Sequence, residues 1–224
     1  MVLDVAFDIE LEHGRCVGVR IPEGEAAVAA LGEGLAPEEA AFARSLSPLR
    51  RRTWIGGRAA LRQALARAGF EVTTAVPADE RGAPVLPPGI SGSVTHKEGL
   101  AAALVARATG ARVGVDVEHD VVGKQDIASH ILADDEVAEL SALDAPSRGR
   151  EVLLRFSAKE AIYKALDPFV RRYVGFKEVS VVTQPDGGAR VTSRLRDGEG
   201  PFAIDVRWRR FDGLVLTTAR VERS

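Results

Sequence analysis

Residues 112–120 read RVGVDVEHD, and residues 148–166 read RGREVLLRFSAKEAIYKAL. The first alternates valine with other residues at period two, the pattern of a strand. The second places apolar residues at three- and four-residue intervals, the pattern of a helix. A strand followed by a long, separate helix, with no tight strand-helix-strand alternation around them, sets an α+β fold. The strand also poses a chemical question. Asp116 and Glu118 stand two apart, so their carboxylates project to the same side of a sheet and repel each other. A divalent cation would offset that repulsion; so would full solvation on an exposed face. The triplet alone does not choose between them.

Outward from this stretch the elements fall into two halves, 1–110 and 111–224. In the first, MVLDVAFDIE and CVGVRI flank the turn-prone EHGR and form a hairpin. A helix opens at Pro37, with Glu38 and Glu39 complementing its dipole. A longer one, PLRRRTWIGGRAALRQALARAGF, follows Ser47 and ends at Gly69. Residues 71–90 are an irregular, proline-rich connection, after which SGSVTH and LAAALVAR read as strands. In the second half DDEVAELSAL starts a helix with Asp134 as N-cap, and the helix that carries residues 148–166 stops at Asp167-Pro168. Four strands, EVSVVTQ, ARVTSRLR, FAIDVRWRRF and LVLTTARVE, then form an antiparallel meander. No internal sequence repeat, low-complexity tract or long charged linker stands out.

Composition narrows the function classes. The 224 residues are enough for a sizeable core without staples, and 46% hydrophobic with 28% charged content is that of a globular protein. With 30 basic against 32 acidic residues the net charge is -2, which argues against a nucleic-acid partner held by counterion release. Any anion site must be local. Cys16 is the only cysteine, so there is no internal disulfide or cysteine cage, as suits a reducing cytoplasm. No run reaches a membrane span, and the first residues lack the basic region of a secretory signal; the expectation is a cytoplasmic protein without a membrane partner.

Several residues could carry chemistry. Glu160 and Lys164 share a helical face, either as a solvated pair or, given Leu153, Phe156, Ala161 and Ile162 around them, as part of a cleft. A third carboxylate beside Asp116 and Glu118 would make an oxygen-rich site for Mg2+, which takes few carboxylates and fills its other positions with water and phosphate oxygens. Ser93, Thr95 and His96 lie at a strand end where a hydroxyl and an imidazole can reach an anion; a structural histidine is the plainer alternative. Arg50, Arg51, Arg52 and Arg58 crowd one helix with Gly56 and Gly57. Tight packing explains the glycines and solvent the arginines; a phosphate landing there explains both. Arg81 adds charge from the neighbouring loop.

Three stretches, GAPVLPPGISGSVTH, GVDVEHD and FSAKEAIYKA, in this order and spacing, resemble the signatures of 4'-phosphopantetheinyl transferases of the surfactin type, most closely the enterobactin-synthetase-associated branch. The resemblance implies two similar α+β halves related by a pseudo-twofold axis, with coenzyme A as co-substrate in the cleft between them, and a monomer that suffices for activity. It implies transfer of the phosphopantetheine arm of coenzyme A to a serine of an apo acyl or peptidyl carrier protein in siderophore or other secondary-metabolite synthesis. Carried over by motif, Asp116, Glu118 and Glu160 match the Mg2+ carboxylates, Lys164 the lysine near the pyrophosphate, and Lys159 its neighbour inside KE. Thr95 and His96 match a serine-histidine pair at a coenzyme A phosphate. Arg58 matches an arginine of a helical GR motif and Arg81 a basic residue near the 3'-phosphate; Arg50 and Arg52 are further phosphate candidates. Leu86 departs from the tryptophan that this branch often carries before proline.

On this reading Glu160, directly or through a water, accepts the proton of the carrier serine, and Lys164 stabilises the departing bisphosphate. Two rivals use the same residues: a Mg2+-dependent hydrolase of a nucleotide pyrophosphate, and a non-catalytic module that holds coenzyme A or a carrier domain. Arg171 and Arg172, flanked by aromatic residues, are candidates for docking the acidic helix of a carrier, or a solvated turn.

Overall fold

The structure, a computed structural model, describes residues 3–121 and 127–224; residues 1 and 2, where the expected first strand begins, lie outside it. The chain divides into two compact units, residues 1–109 and 110–224, each a layer of helix on antiparallel sheet.

In the first unit β1 (Val5–Leu11) and β2 (Gly14–Arg20) form the expected hairpin. Helices α1 (Glu25–Leu31), α2 (Pro37–Ser45) and α3 (Pro48–Arg67) follow, then β3 (Ile90–Lys97) and β4 (Leu100–Arg107), giving the strand order β1-β2-β4-β3. Helix α1 has no counterpart in the sequence expectations: it is seven residues long and its N-cap is Gly24, which offers no side-chain oxygen. Ala60, Leu61, Ala64 and Leu65 of α3 pack on Val17, Val19, Ala101, Ala103 and Val105 of the sheet. Gly56 and Gly57 exist for this packing. A Cβ on Gly56 would lie 2.6 Å from Ile21 Cγ1, and one on Gly57 2.9 Å from Val94 Cγ1, so both glycines are filled from the sheet side. That corrects the reading of a phosphate seated on them.

The second unit opens with β5 (Arg112–His119), followed by α4 (Ala128–Ile131), α5 (Asp134–Leu140) and α6 (Ala145–Val170). Strands β6 (Val179–Thr183), β7 (Ala189–Ser193), β8 (Phe202–Phe211) and β9 (Leu214–Arg223) complete it. They are not one meander. The sheet order is β5-β9-β8, while β6 and β7 pair separately and meet β8 at the Gly188–Arg207 bridge. The burial pattern gives the reason: Leu214–Ala219 of β9 are buried at six consecutive positions, as a strand flanked on both edges and covered on both faces must be. Two helix ends also depart from expectation. Asp134 is the first helical residue, not the N-cap; the cap is Ala133, whose N–H donates to the Glu136 carboxylate at 2.8 Å. Helix α6 runs past Pro168, which in the last turn removes one ladder bond only, and ends where Arg171 turns left-handed (φ 51°) and its N–H meets the Asp167 carbonyl at 2.9 Å. Among the described residues no helix is long and apolar enough to cross a membrane.

Each unit hangs on one buried acid, and the two are built alike. Glu39 and Glu136 are both the third residue of a short helix, and each accepts from the N–H of the residue before that helix, Ala36 at 2.9 Å and Ala133 at 2.8 Å. Each takes a second N–H from a distant segment, Val76 at 3.1 Å and Val181 at 2.9 Å. Each faces two cations one turn apart on the long helix: Arg58 at 3.9 Å and Arg62 for Glu39, Arg155 at 3.9 Å and Lys159 at 2.5 Å for Glu136. Arg58 and Arg155 follow their acids at the same sequence distance. The correspondence keeps the acid and the first cation, Glu and Arg in both units, and exchanges only the second, Arg62 for Lys159. Removing Glu136 takes the carboxylate from the buried Lys159, while Arg155 keeps Glu139 at 3.0 Å, so Glu136→Ala is expected to lower the unfolding free energy by about 3–5 kcal/mol, measured as a shift in urea midpoint at unchanged slope.

Candidate functional site

The site in the second unit begins with a close approach. A Cβ on Gly114 would lie 1.9 Å from the Ala161 carbonyl oxygen and 2.9 Å from the Ala165 nitrogen, so only glycine lets α6 lie this near β5. Gly114, Asp116 and Glu118 alternate along the strand and share its α6 face. Asp116 is thereby carried against the helix. Its Oδ1 accepts from Lys164 Nζ at 2.8 Å, and its Oδ2 from Ser157 Oγ at 2.9 Å. Lys164 Nζ also donates to the Val115 carbonyl at 2.9 Å, and Ser157 Oγ lies 2.9 Å from Thr217 Oγ1 on β9. Asp116 is 5% exposed and Glu118 8%.

Glu160 stands in the same field. Burial pushes its carboxyl up; Lys164 pulls the other way, and the charges of Asp116 and Glu118 push it up further. The Lys164 ammonium thus acts on both Asp116 and Glu160. Among the described residues no three acid, histidine or cysteine side chains stand close enough together to hold a metal ion. The donor set nevertheless fits a hard cation: every carboxylate donor is an oxygen, and a Mg2+ site keeps several waters and needs few carboxylates. Beside Glu160, Ile162, Tyr163, Leu166, Tyr173, Val174 and Phe176 line an apolar pocket that also reaches Lys159.

The other expected residues fare differently. Lys159 is 3% exposed and spends its ammonium on the Glu136 carboxylate at 2.5 Å, the Ile131 carbonyl at 2.7 Å and the Phe176 carbonyl at 3.0 Å. With all three protons given to the protein it is a structural post, in place of the phosphate ligand expected of it. Arg172 likewise grips Glu178 and Glu199 with its whole fork, at 2.6–2.9 Å, and holds the Glu199 carboxyl down to about 2; docking is not its position.

In the first unit, Thr95 and His96 are strand neighbours and so point to opposite faces: Thr95 is buried, His96 exposed. They do not form one anion clamp. His96 instead lines a groove of about 410 Å³ with Arg52, Lys97, Thr53, Leu49 and Glu23. Arg52 also braces the chain through the Pro22 carbonyl at 3.1 Å and the Ile21 carbonyl at 3.3 Å. Arg50 is exposed on α3, and Arg81 lies in the exposed 79–82 turn. Arg58 is 4% exposed, its guanidinium 4.8 Å over the Trp54 ring; burial lowers its pKa, opposed by Glu39. Leu86 packs over Gly92. Gly114, Ser157, Thr217 and Lys97 were not among the expected residues. Ser157 could have been found as the hydroxyl two turns before Lys164 on the same apolar stripe; Thr217 gives no such signal inside its buried strand.

Known proteins bear on this arrangement. Residues 38–106 match the profile of the 4'-phosphopantetheinyl transferase N-terminal domain, and residues 112–219 that of the 4'-phosphopantetheinyl transferase superfamily. The chain is 34% identical over 194 residues to the 4'-phosphopantetheinyl transferase Npt of Nocardia iowensis, covering 80% of this chain and 86% of that protein. It is 34% identical over 196 residues to the 4'-phosphopantetheinyl transferase Svp of Streptomyces mobaraensis, covering 84% and 78%. Against enterobactin synthase component D of Salmonella typhi it is 33% identical over 126 residues, covering 54% and 50%.

Two outcomes are expected. Gly114→Ala forces α6 off β5 and costs at least about 1–3 kcal/mol, read from the denaturant midpoint. Glu160→Gln removes a buried charge that the fold opposes. Its folded-state pKa is raised, so the wild-type penalty is fully present above that pKa and absent below the ordinary carboxylate range. The variant's melting temperature should therefore exceed that of the wild type most at pH 8, and the gap should close as pH falls; a gap that widens on acidification would contradict the burial effect.

Proposed function

The chain belongs to the 4'-phosphopantetheinyl transferases, and from that premise we propose that it moves the 4'-phosphopantetheine arm of coenzyme A to a serine of an apo acyl or peptidyl carrier protein, releasing adenosine 3',5'-bisphosphate. One observation carries the reading: Glu160 and Lys164 of α6 face Asp116 and Glu118 of β5, an acid-rich, half-buried site with one amine. Asp116, Glu118 and Glu160 would hold Mg2+, which supplies neutralisation of the diphosphate charge.

The chain's own groups do the rest. Lys164, anchored by Val115 and Asp116, presents its ammonium to the leaving phosphate. Glu160, with a pKa raised by burial, is a stronger base than an exposed carboxylate and takes the proton of the carrier serine. The serine oxygen bonds to the β-phosphorus, the bond from that phosphorus to the bridging oxygen breaks, and its electron pair leaves with the bisphosphate. In the first unit, the groove with Arg52, His96 and Lys97 offers basic side chains suited to a phosphate. The likeness to enterobactin synthase component D supports the enterobactin-associated branch of the surfactin type, with a siderophore-synthesis carrier as acceptor. A monomer working in the cytoplasm completes the proposal.

Incubation with coenzyme A, Mg2+ and a panel of apo carriers, read by intact mass, should add one phosphopantetheine to a carrier. Coenzyme A cleaved with every carrier unchanged would point to hydrolysis. Asp116→Ala should stay folded and lose transfer by about 10²-fold or more, as should Glu160→Gln; near-normal turnover of a folded Asp116→Ala would remove that residue from the site.

A further inference from the structure

Lys159 stands one residue before Glu160 on α6, 3% exposed, with its ammonium where three segments meet. Nζ donates to the Ile131 carbonyl at the end of α4 (2.7 Å), to the Glu136 carboxylate of α5 (2.5 Å) and to the Phe176 carbonyl (3.0 Å). The residue type follows from this junction: an ammonium spreads three donors around one nitrogen, whereas a guanidinium lays its donors in one plane. The first unit makes a similar provision. Arg62, the second cation of the Glu39 post, donates to the Val72 carbonyl at 3.4 Å and the Thr74 carbonyl at 3.2 Å, and so fastens the connection that follows α3. In each unit, then, the second cation of the post carries a loop as well as an acid.

What Lys159 carries is the wall beside Glu160. Tyr173, Val174, Gly175 and Phe176 line the apolar pocket that Lys159 and Glu160 also line. The Phe176 ring meets that of Phe156 on α6 at 5.7 Å between centroids, and the Phe176 carbonyl is the one Lys159 holds, so this wall is fixed to the helix at the residue next to the Glu160 carboxylate. We propose that Lys159 is a positioning residue for the transfer: it acts through the Phe176 carbonyl, holding the 173–176 wall at a set distance from Glu160, and not as a phosphate ligand. The inference rests on the role of Glu160 put forward above. Losing the ammonium takes this donor from the Ile131 and Phe176 carbonyls and lets the wall shift against α6; a displacement of about 1 Å at a reacting centre costs on the order of 10²-fold in rate.

Two experiments test this. Acetic anhydride added to the wild-type full chain, read by peptide mass, should leave Lys159 unmodified with and without coenzyme A while the exposed Lys177 reacts. Lys159 acetylated in the free chain and shielded by coenzyme A would mark a phosphate ligand and overturn the proposal. Lys159→Met keeps the stem and deletes the ammonium. Hydrogen–deuterium exchange in its peptides covering 173–178 should speed up by about tenfold or more, with those of β9 unchanged. At a temperature where circular dichroism shows it folded, its kcat for carrier modification should fall by about tenfold or more, and its KM for coenzyme A should move by less than about threefold; loss of a phosphate ligand would instead raise KM. Lys159→Arg, which a phosphate would accept and the three-way junction would not, should lose kcat as well. Wild-type exchange over 173–178 in a folded Lys159→Met, or wild-type kcat in either folded variant, overturns the proposal. Should neither variant fold, the labelling decides between post and ligand. A wild type that modifies no carrier removes the transfer reading and with it the part of Lys159 in the reaction, while the exchange result still judges the mooring of the wall.

Discussion

The second unit depends on how closely α6 lies on β5. Gly114 permits a helix backbone to press onto a strand backbone, and that contact sets the reach of everything that follows from it. At this separation a serine and a lysine side chain arrive at the two oxygens of one aspartate. A longer gap would cost the buried Asp116 its bonds to Ser157 and Lys164. The valines between them carry the core; the alternating small, acidic and acidic residues on the other side face α6. One strand therefore serves both purposes, because its two sides face different partners.

Much of this was legible in the sequence because the period of the residues matched the period of the structure. The hairpins, α2 with Pro37 at its start, and the long helices all followed from spacing and punctuation. What failed did so where tertiary contacts override a local sign. Pro168 reads as a stop, yet a helix with one turn left loses little by crossing it. Four terminal strands read as a meander, yet β9 pairs back to β5, a partner about a hundred residues earlier that no local pattern names. In the candidate site, residues two, three or four apart on one element were placed together correctly, as with Asp116 and Glu118 or Glu160 and Lys164. Thr95 and His96 show the reverse: adjacent letters suggest proximity, and a strand separates them. Lys159 shows a third limit, since a buried lysine looks in sequence like any reactive one until Glu136 is found beneath it.

The paired posts Glu39 and Glu136 tell how one plan came to serve two ends. Both units need a short helix pinned to a long one, and both use an acid that takes two N–H groups and two cations. Beyond that post the helices diverge. Where α6 presents Ser157, Glu160 and Lys164, the matching turns of α3 carry Ala60, Gln63 and Arg67. The scaffold is duplicated and the acid-base apparatus is not.

The Arg172 clamp has a consequence of its own. Residues 173–176, which form one side of the apolar pocket, are strung between Arg172 and Glu178, and Glu199 fastens the arginine from the opposite direction. That side is thus moored by charge as well as by packing. The width of the slot is adjustable from outside: exchanging Glu199, which lines no part of it, loosens one mooring and lets the aromatic edge drift. A change at Glu199 would thus reach the aromatic edge of the pocket without altering any residue that lines it.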